Sequence, residues 1–105
     1  MEIEDLEDQD KKQAIVTPRC EKMLSEATRY YTDKNLPEQA IELAGKFRQI
    51  VKLLELMPGI GTSWKSGIKT MLIRKYRYNV YYRENETTID ILGIWHTSRG
   101  AEFIP

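Results

Sequence analysis

The chain has a single histidine, His96, and most of its arginines fall in the second half. These residue types can cut RNA without a metal ion. Such a reaction needs a base for the 2′-hydroxyl proton, cations for the charge that gathers on phosphorus, and an acid for the departing oxygen. An imidazole can act as acid or base near neutral pH, which makes His96 the candidate for proton transfer. Arg74, Arg83 and Arg99 can hold phosphate through their planar forks of donors, and Tyr76 or Tyr81 offers a ring face to a base. Each also has a plainer role. A histidine at a strand end commonly bonds a nearby backbone group, alternate arginines of a strand face water, and strand tyrosines pack in a core. The set is compatible with nuclease chemistry and does not by itself specify it.

Other chemistries find less support. The sequence has no phosphate loop, no metal-ligand cluster and no nucleophile elbow. One cysteine and one histidine cannot make a zinc site on their own, and no cofactor or metal is expected. Cys20, the only cysteine, excludes a disulfide within the chain, which fits a reducing cytoplasm. It falls on the apolar stripe of a helical stretch and reads as a small core residue. The acidic start is unlike a secretory signal, and no apolar run nears the length needed to span a bilayer. A cytoplasmic protein with no membrane partner is expected.

The formal net charge of zero conceals an asymmetry. Residues 1–10 hold six acids and no base, so the remainder carries +6. Trp64 to Arg83 contains Lys65, Lys69, Arg74, Lys75, Arg77 and Arg83 and no acid. A basic body with an acidic lead-in is therefore expected, with residues 1–12 a flexible segment and 13–105 one domain. The lead-in is either a solubilising end or a segment that folds back on the basic stretch.

The elements that must position these side chains follow from periodicity. Gln13 to Thr17 is short, apolar and β-branched, and predicts a strand. Thr17-Pro18 supplies an N-cap and a first helical residue, and Cys20, Met23, Leu24, Ala27, Tyr30 and Tyr31 mark one helical face. Pro37 opens a second helix to about Met57, striped by Ala40, Leu43, Phe47, Ile50, Val51 and Leu54. Pro58-Gly59-Ile60-Gly61 ends it. The short connector makes the two helices an antiparallel hairpin.

From about Gly67 the period becomes two. Ile68–Ile73 predicts a strand. Tyr76–Arg83 predicts another, with Tyr76, Tyr78, Val80 and Tyr82 on one face and Arg77, Asn79, Tyr81 and Arg83 on the other. Ile89–His96 is apolar on both faces and predicts a central strand. The fold class is α+β with order β-α-α-β-β-β, the hairpin covering one face of a small, mainly antiparallel twisted sheet.

This order, with certain residues in it, resembles the RelE/ParE toxin superfamily of type II toxin–antitoxin pairs over about residues 13–103. The resemblance rests on Thr17-Pro18, on Leu54, Pro58 and Gly61 at the helix end, on Tyr76-Arg77-Tyr78-Asn79-Val80-Tyr81-Tyr82, and on Ile89 to Arg99 with its His96-x-x-Arg99 close. No one motif is specific; their order and spacing carry the likeness. The His-x-x-Arg ending resembles the ParE branch more than RelE.

The resemblance implies a growth-inhibiting toxin, of a kind tied to plasmid stabilisation, that a cognate antitoxin wraps in a hetero-oligomer. ParE-like members bind DNA gyrase and trap it on broken DNA, as binding inhibitors rather than enzymes. RelE-like members are mRNA interferases, endoribonucleases that cut mRNA on the ribosome. ParE-like gyrase poisoning is the expectation here, with mRNA cleavage as the alternative and a non-catalytic RNA-binding module as a third reading. If the chain cuts mRNA, His96, Arg74, Arg83 and Arg99 are the catalytic set. For contact with target or antitoxin the candidates are Trp64, Arg77, Tyr81 and Arg99.

Overall fold

The structure, a computed structural model, describes residues 12–99 and residue 103. The acidic residues 2–10, and any contact of theirs with the basic stretch, lie outside the described residues. β1 (Gln13–Val16) leads into α1 (Pro18–Asp33), and α2 (Pro37–Leu56) follows. The entry to α1 is the one its residues dictate. The Thr17 hydroxyl accepts the Cys20 amide at 3.1 Å, and Pro18 takes a position whose amide needs no partner.

A 3₁₀ turn, Pro58–Ile60, closes α2, and four strands complete the chain: β2 (Thr62–Lys65), β3 (Ile68–Ile73), β4 (Tyr78–Glu84) and β5 (Thr88–His96). The five-stranded sheet runs β1-β5-β4-β3-β2. β1 is parallel to β5, and the other neighbours are antiparallel. β5 lies between β1 and β4, as its two apolar faces require.

Two details differ from the periodicity. β2 is an added strand, too short and polar to announce itself. It is joined to β3 by Ser66 and Gly67, both with positive φ (54° and 75°), the geometry of a tight two-residue hairpin turn. β4 begins at Tyr78 instead of Tyr76, because Arg77 takes φ 59° and belongs to the β3–β4 connection. Tyr76 is nonetheless buried.

The core fills the space between hairpin and sheet. Cys20, Leu43, Phe47, Leu54, Val80, Tyr82, Ile89 and Ile91 are buried in one cluster, against which Met23, Leu24 and Val51 pack. Fully burying one such large side chain contributes about 1.5–3 kcal/mol. Along β5 the alternation shifts by one residue. Tyr81 pairs with Gly93 but Tyr82 with Ile91, so Leu92 is extra. That bulge lets Ile94 join Ile89 and Ile91 in the same core despite its odd spacing.

Candidate functional site

Strand alternation places Val80 and Tyr82 in the core under the helices and turns Tyr81 toward the opposite face. Tyr81 forms a second cluster there with Ile68 and Phe103, joined by Trp64 and Trp95. The Tyr81 and Phe103 rings lie nearly parallel, 4.1 Å apart with 15° between their planes. Trp64 meets Tyr81 edge-on at 5.0 Å, and Trp95 meets Phe103 edge-on at 6.0 Å. Such offset and edge contacts satisfy the ring quadrupoles. Gly93 makes room for the arrangement, since a Cβ there would strike the Phe103 ring.

Three cations rest on this aromatic face. The Arg99 guanidinium lies 3.9 Å from the Trp95 centroid, the Lys65 ammonium 4.5 Å from that of Trp64, and the Arg19 guanidinium 5.1 Å from that of Phe103. Each cation–ring contact holds a long side chain near one position. Aromatic rings with arginine at the margin are the composition that carries energy in protein interfaces.

The predicted contact residues are thus partly assembled. Trp64 and Tyr81 touch, and Arg99 joins them through Trp95 and Phe103. Arg77 sits apart, at the β3–β4 turn, where its Nε donates to Thr97 Oγ1 at 3.4 Å and its carbonyl accepts the Thr97 amide at 2.8 Å. Trp95, Phe103, Lys65 and Arg19 were not singled out from the sequence as contact residues. Phe103 lies in a stretch with no periodicity, and Arg19 looks like any helix-surface cation.

The proposed nuclease set is more scattered. The His96 ring packs edge-on against Tyr78 at 4.9 Å. Its Nδ1 accepts the Ser98 amide at 3.1 Å and lies 2.7 Å from the Ser98 hydroxyl. The neutral ring therefore carries its proton on Nε2. This is a satisfied histidine bonded to the backbone two residues on. It lines an open groove of about 450 Å³ with Met23, Tyr30, Tyr31, Tyr78 and Arg99. Arg83 is far from it. Tyr78 is in register with His96 and Arg83 with Asp90, and that stretch of β4 measures roughly 17 Å. Arg74 follows the last residue of β3 and is exposed.

Two groups of possible reactivity are structural. Burial pushes the Cys20 thiol up to about 12, which removes it as a nucleophile near neutral pH. Tyr76 donates its hydroxyl to Glu42 at 2.5 Å, and Glu42 also pairs with Lys75 at 2.6 Å. Burial, and then the Glu42 carboxylate, hold the Tyr76 phenol up at about 12. The hydrogen bonds from Lys75 and Tyr76 keep the Glu42 carboxyl below its ordinary range. Tyr76 is a buried anchor and offers no platform to a base. Among the described residues there is no cluster of three or more potential metal ligands, and no helix is long and apolar enough to cross a membrane.

Comparison with known proteins agrees with this architecture. A solved structure titled as the chromosomal ParDE TA system from P. aeruginosa superposes with a TM-score of 0.73 at 20% sequence identity, covering 83% of this chain and 97% of that one. At that identity the likeness is one of fold. No curated protein sequence matches the chain. The model of the family described as the ParE toxin of the type II toxin–antitoxin system, parDE, matches residues 14–100. The chain therefore belongs to the ParE toxin family of type II toxin–antitoxin systems.

Proposed function

We propose that the chain arrests growth in the cytoplasm by poisoning DNA gyrase, and that the sheet face bearing Trp64, Trp95 and Arg99, underlain by the buried Tyr81, makes the contact. The observation that carries this reading is the Arg99 guanidinium held 3.9 Å over Trp95, at the edge of the aromatic cluster. A cation fixed on a ring loses little rotamer freedom when it meets a carboxylate or phosphate of a large partner. The chain then acts by binding and needs no acid–base pair of its own. Its cognate antitoxin neutralises it by occupying its surface.

The register supports binding over RNA cleavage. The Nδ1 atom of His96 is already an acceptor for Ser98, and Arg83 lies at the far end of β4 from that ring. Ribosome-dependent mRNA cleavage would need several cations gathered around the histidine, and of the three candidate arginines only Arg99 lines its groove. The test is induced expression without antitoxin, for the native chain and for Arg99→Ala. Gyrase-linked double-strand breaks that disappear in the folded Arg99→Ala variant support the reading. Cleaved mRNA with intact DNA would replace it with the nuclease alternative.

A further inference from the structure

Five residues lie in register in one row across the sheet. Ile15 of β1 is opposite Asp90 of β5, Asp90 opposite Arg83 of β4, Arg83 opposite Ile68 of β3, and Ile68 opposite Lys65 of β2. Residues directly opposite one another share a face. Ile68 belongs to the cluster of Tyr81 and Phe103, so the row crosses the aromatic face and not the one under the helices. With strands about 4.8 Å apart, the row is roughly 19 Å long. The chain enters at one end of it. Lys12 pairs with Glu84 at 2.7 Å and donates to the Asn85 carbonyl at 2.7 Å, which fixes the start of β1 beside the β4–β5 turn.

The charge on this face is one-sided. Lys65 and Arg83 lie in the row, Arg99 rests on Trp95, and Arg19 rests on Phe103. Among the described residues, strand alternation puts one acid there, Asp90, between the buried Ile89 and Ile91. Its carboxylate is engaged by the turn, accepting from Asn85 Nδ2 at 2.9 Å. The two helices, by contrast, carry three acids each among their cations. Residues 1–10, which lie outside the described residues, hold six acids and no base, with Ile3 and Leu6 three apart.

We infer that residues 1–10 dock as an anionic strap along this row, with acids meeting Arg83 and Lys65 and with Ile3 and Leu6 reaching the rings around Trp64. Ten extended residues span at most about 36 Å, nearly twice the roughly 19 Å of the row. A lone exposed ion pair is weak. Here six charges act together on a face of opposite sign, and the tether at Lys12 keeps them near it at a roughly millimolar effective concentration. The strap covers the face proposed to meet gyrase, so its effect on growth arrest rests on that reading, whereas its docking does not.

Trp64 and Trp95 are the chain's two tryptophans, and both belong to this face. Quenching of their fluorescence by acrylamide, an uncharged probe, therefore reads whether the face is covered. In the full native chain, quenching should rise about twofold from low salt to ~1 M salt, where charges more than about 3 Å apart are screened. That response needs no substitution. The full chain with Glu2→Gln, Glu4→Gln, Asp5→Asn, Glu7→Gln, Asp8→Asn and Asp10→Asn should be quenched at low salt as the native chain is at high salt. Arg83→Glu should release the segment as well, whereas Lys52→Glu, an exposed change on α2, should not. Native quenching that ignores both salt and the six amide substitutions would overturn the inference. Release by Lys52→Glu but not by Arg83→Glu would overturn it too, since the segment would then lie on the helices. Induced without antitoxin, the six-amide variant should arrest growth about threefold more strongly than the native chain at equal expression. Equal arrest alongside the expected quenching would remove gyrase from this face and leave the docking standing.

Discussion

The Tyr82 hydroxyl ties the end of α2 to the start of β2: it donates to the Pro58 carbonyl at 2.8 Å and accepts the Gly61 amide at 2.9 Å. One core side chain thereby fixes the turn that leads into the strand carrying Trp64. Gly61 is required there, since a Cβ would collide with that hydroxyl and crowd the Thr70 carbonyl. Tyr82→Phe leaves the ring in place but orphans both backbone groups. It should cost about 1–3 kcal/mol, read as a lower urea midpoint at an unchanged slope. An unchanged midpoint would show that water or another group satisfies them.

Phe103 joins the far end of the chain to the sheet by stacking on Tyr81 and meeting both tryptophans. Phe103→Ala should destabilise by about 3–5 kcal/mol, the cost of emptying a buried aromatic site. The same variant should increase solvent access to Trp64 and Trp95, seen as a red shift of their fluorescence. A loss of stability below about 1 kcal/mol would contradict the buried placement.

The alkaline limb of stability should depend on Tyr76. Its phenol is held at about 12, against an ordinary value of 10.0. The folded state thus binds the phenol proton more tightly than the unfolded chain does. The resulting stability is complete below pH 10 and declines as pH rises toward 12. Tyr76→Phe should flatten that decline. It should also remove one late-ionising tyrosine from the ultraviolet titration. If the titration of the variant matches that of the native chain, the assignment fails.

Much of the fold was legible because local chemistry and tertiary need agreed. Thr17-Pro18 marks a helix start by its own hydrogen bonding, and the stripe from Leu43 to Leu54 is the one the sheet covers. β2 was not legible. Thr62–Lys65 is polar and exists because β3 offers it an edge. The start of β4 was read two residues early, since Tyr76 keeps the strand's period while Arg77 leaves the strand's backbone. Within the candidate site, Trp64, Tyr81 and Arg99 could be suspected from type and position. Phe103 could not, because only long-range contacts define its role.

The two residues of the His96-x-x-Arg99 ending should behave differently. His96 is held by Ser98 and Tyr78 in a structural contact, whereas Arg99 is exposed on Trp95. His96→Ala should keep growth arrest within about threefold of native, after correction for a modest loss of stability. Arg99→Ala should reduce arrest by about tenfold or more while leaving the melting temperature nearly unchanged. Arrest abolished by His96→Ala in a folded protein would return the histidine to a catalytic role.

The most direct measurement of the central claim is to induce the chain without antitoxin and follow DNA and mRNA in the same cells. Gyrase poisoning predicts double-strand breaks that a gyrase-bypassing mutation suppresses, with mRNA intact. Cleaved messages with undamaged DNA would contradict it.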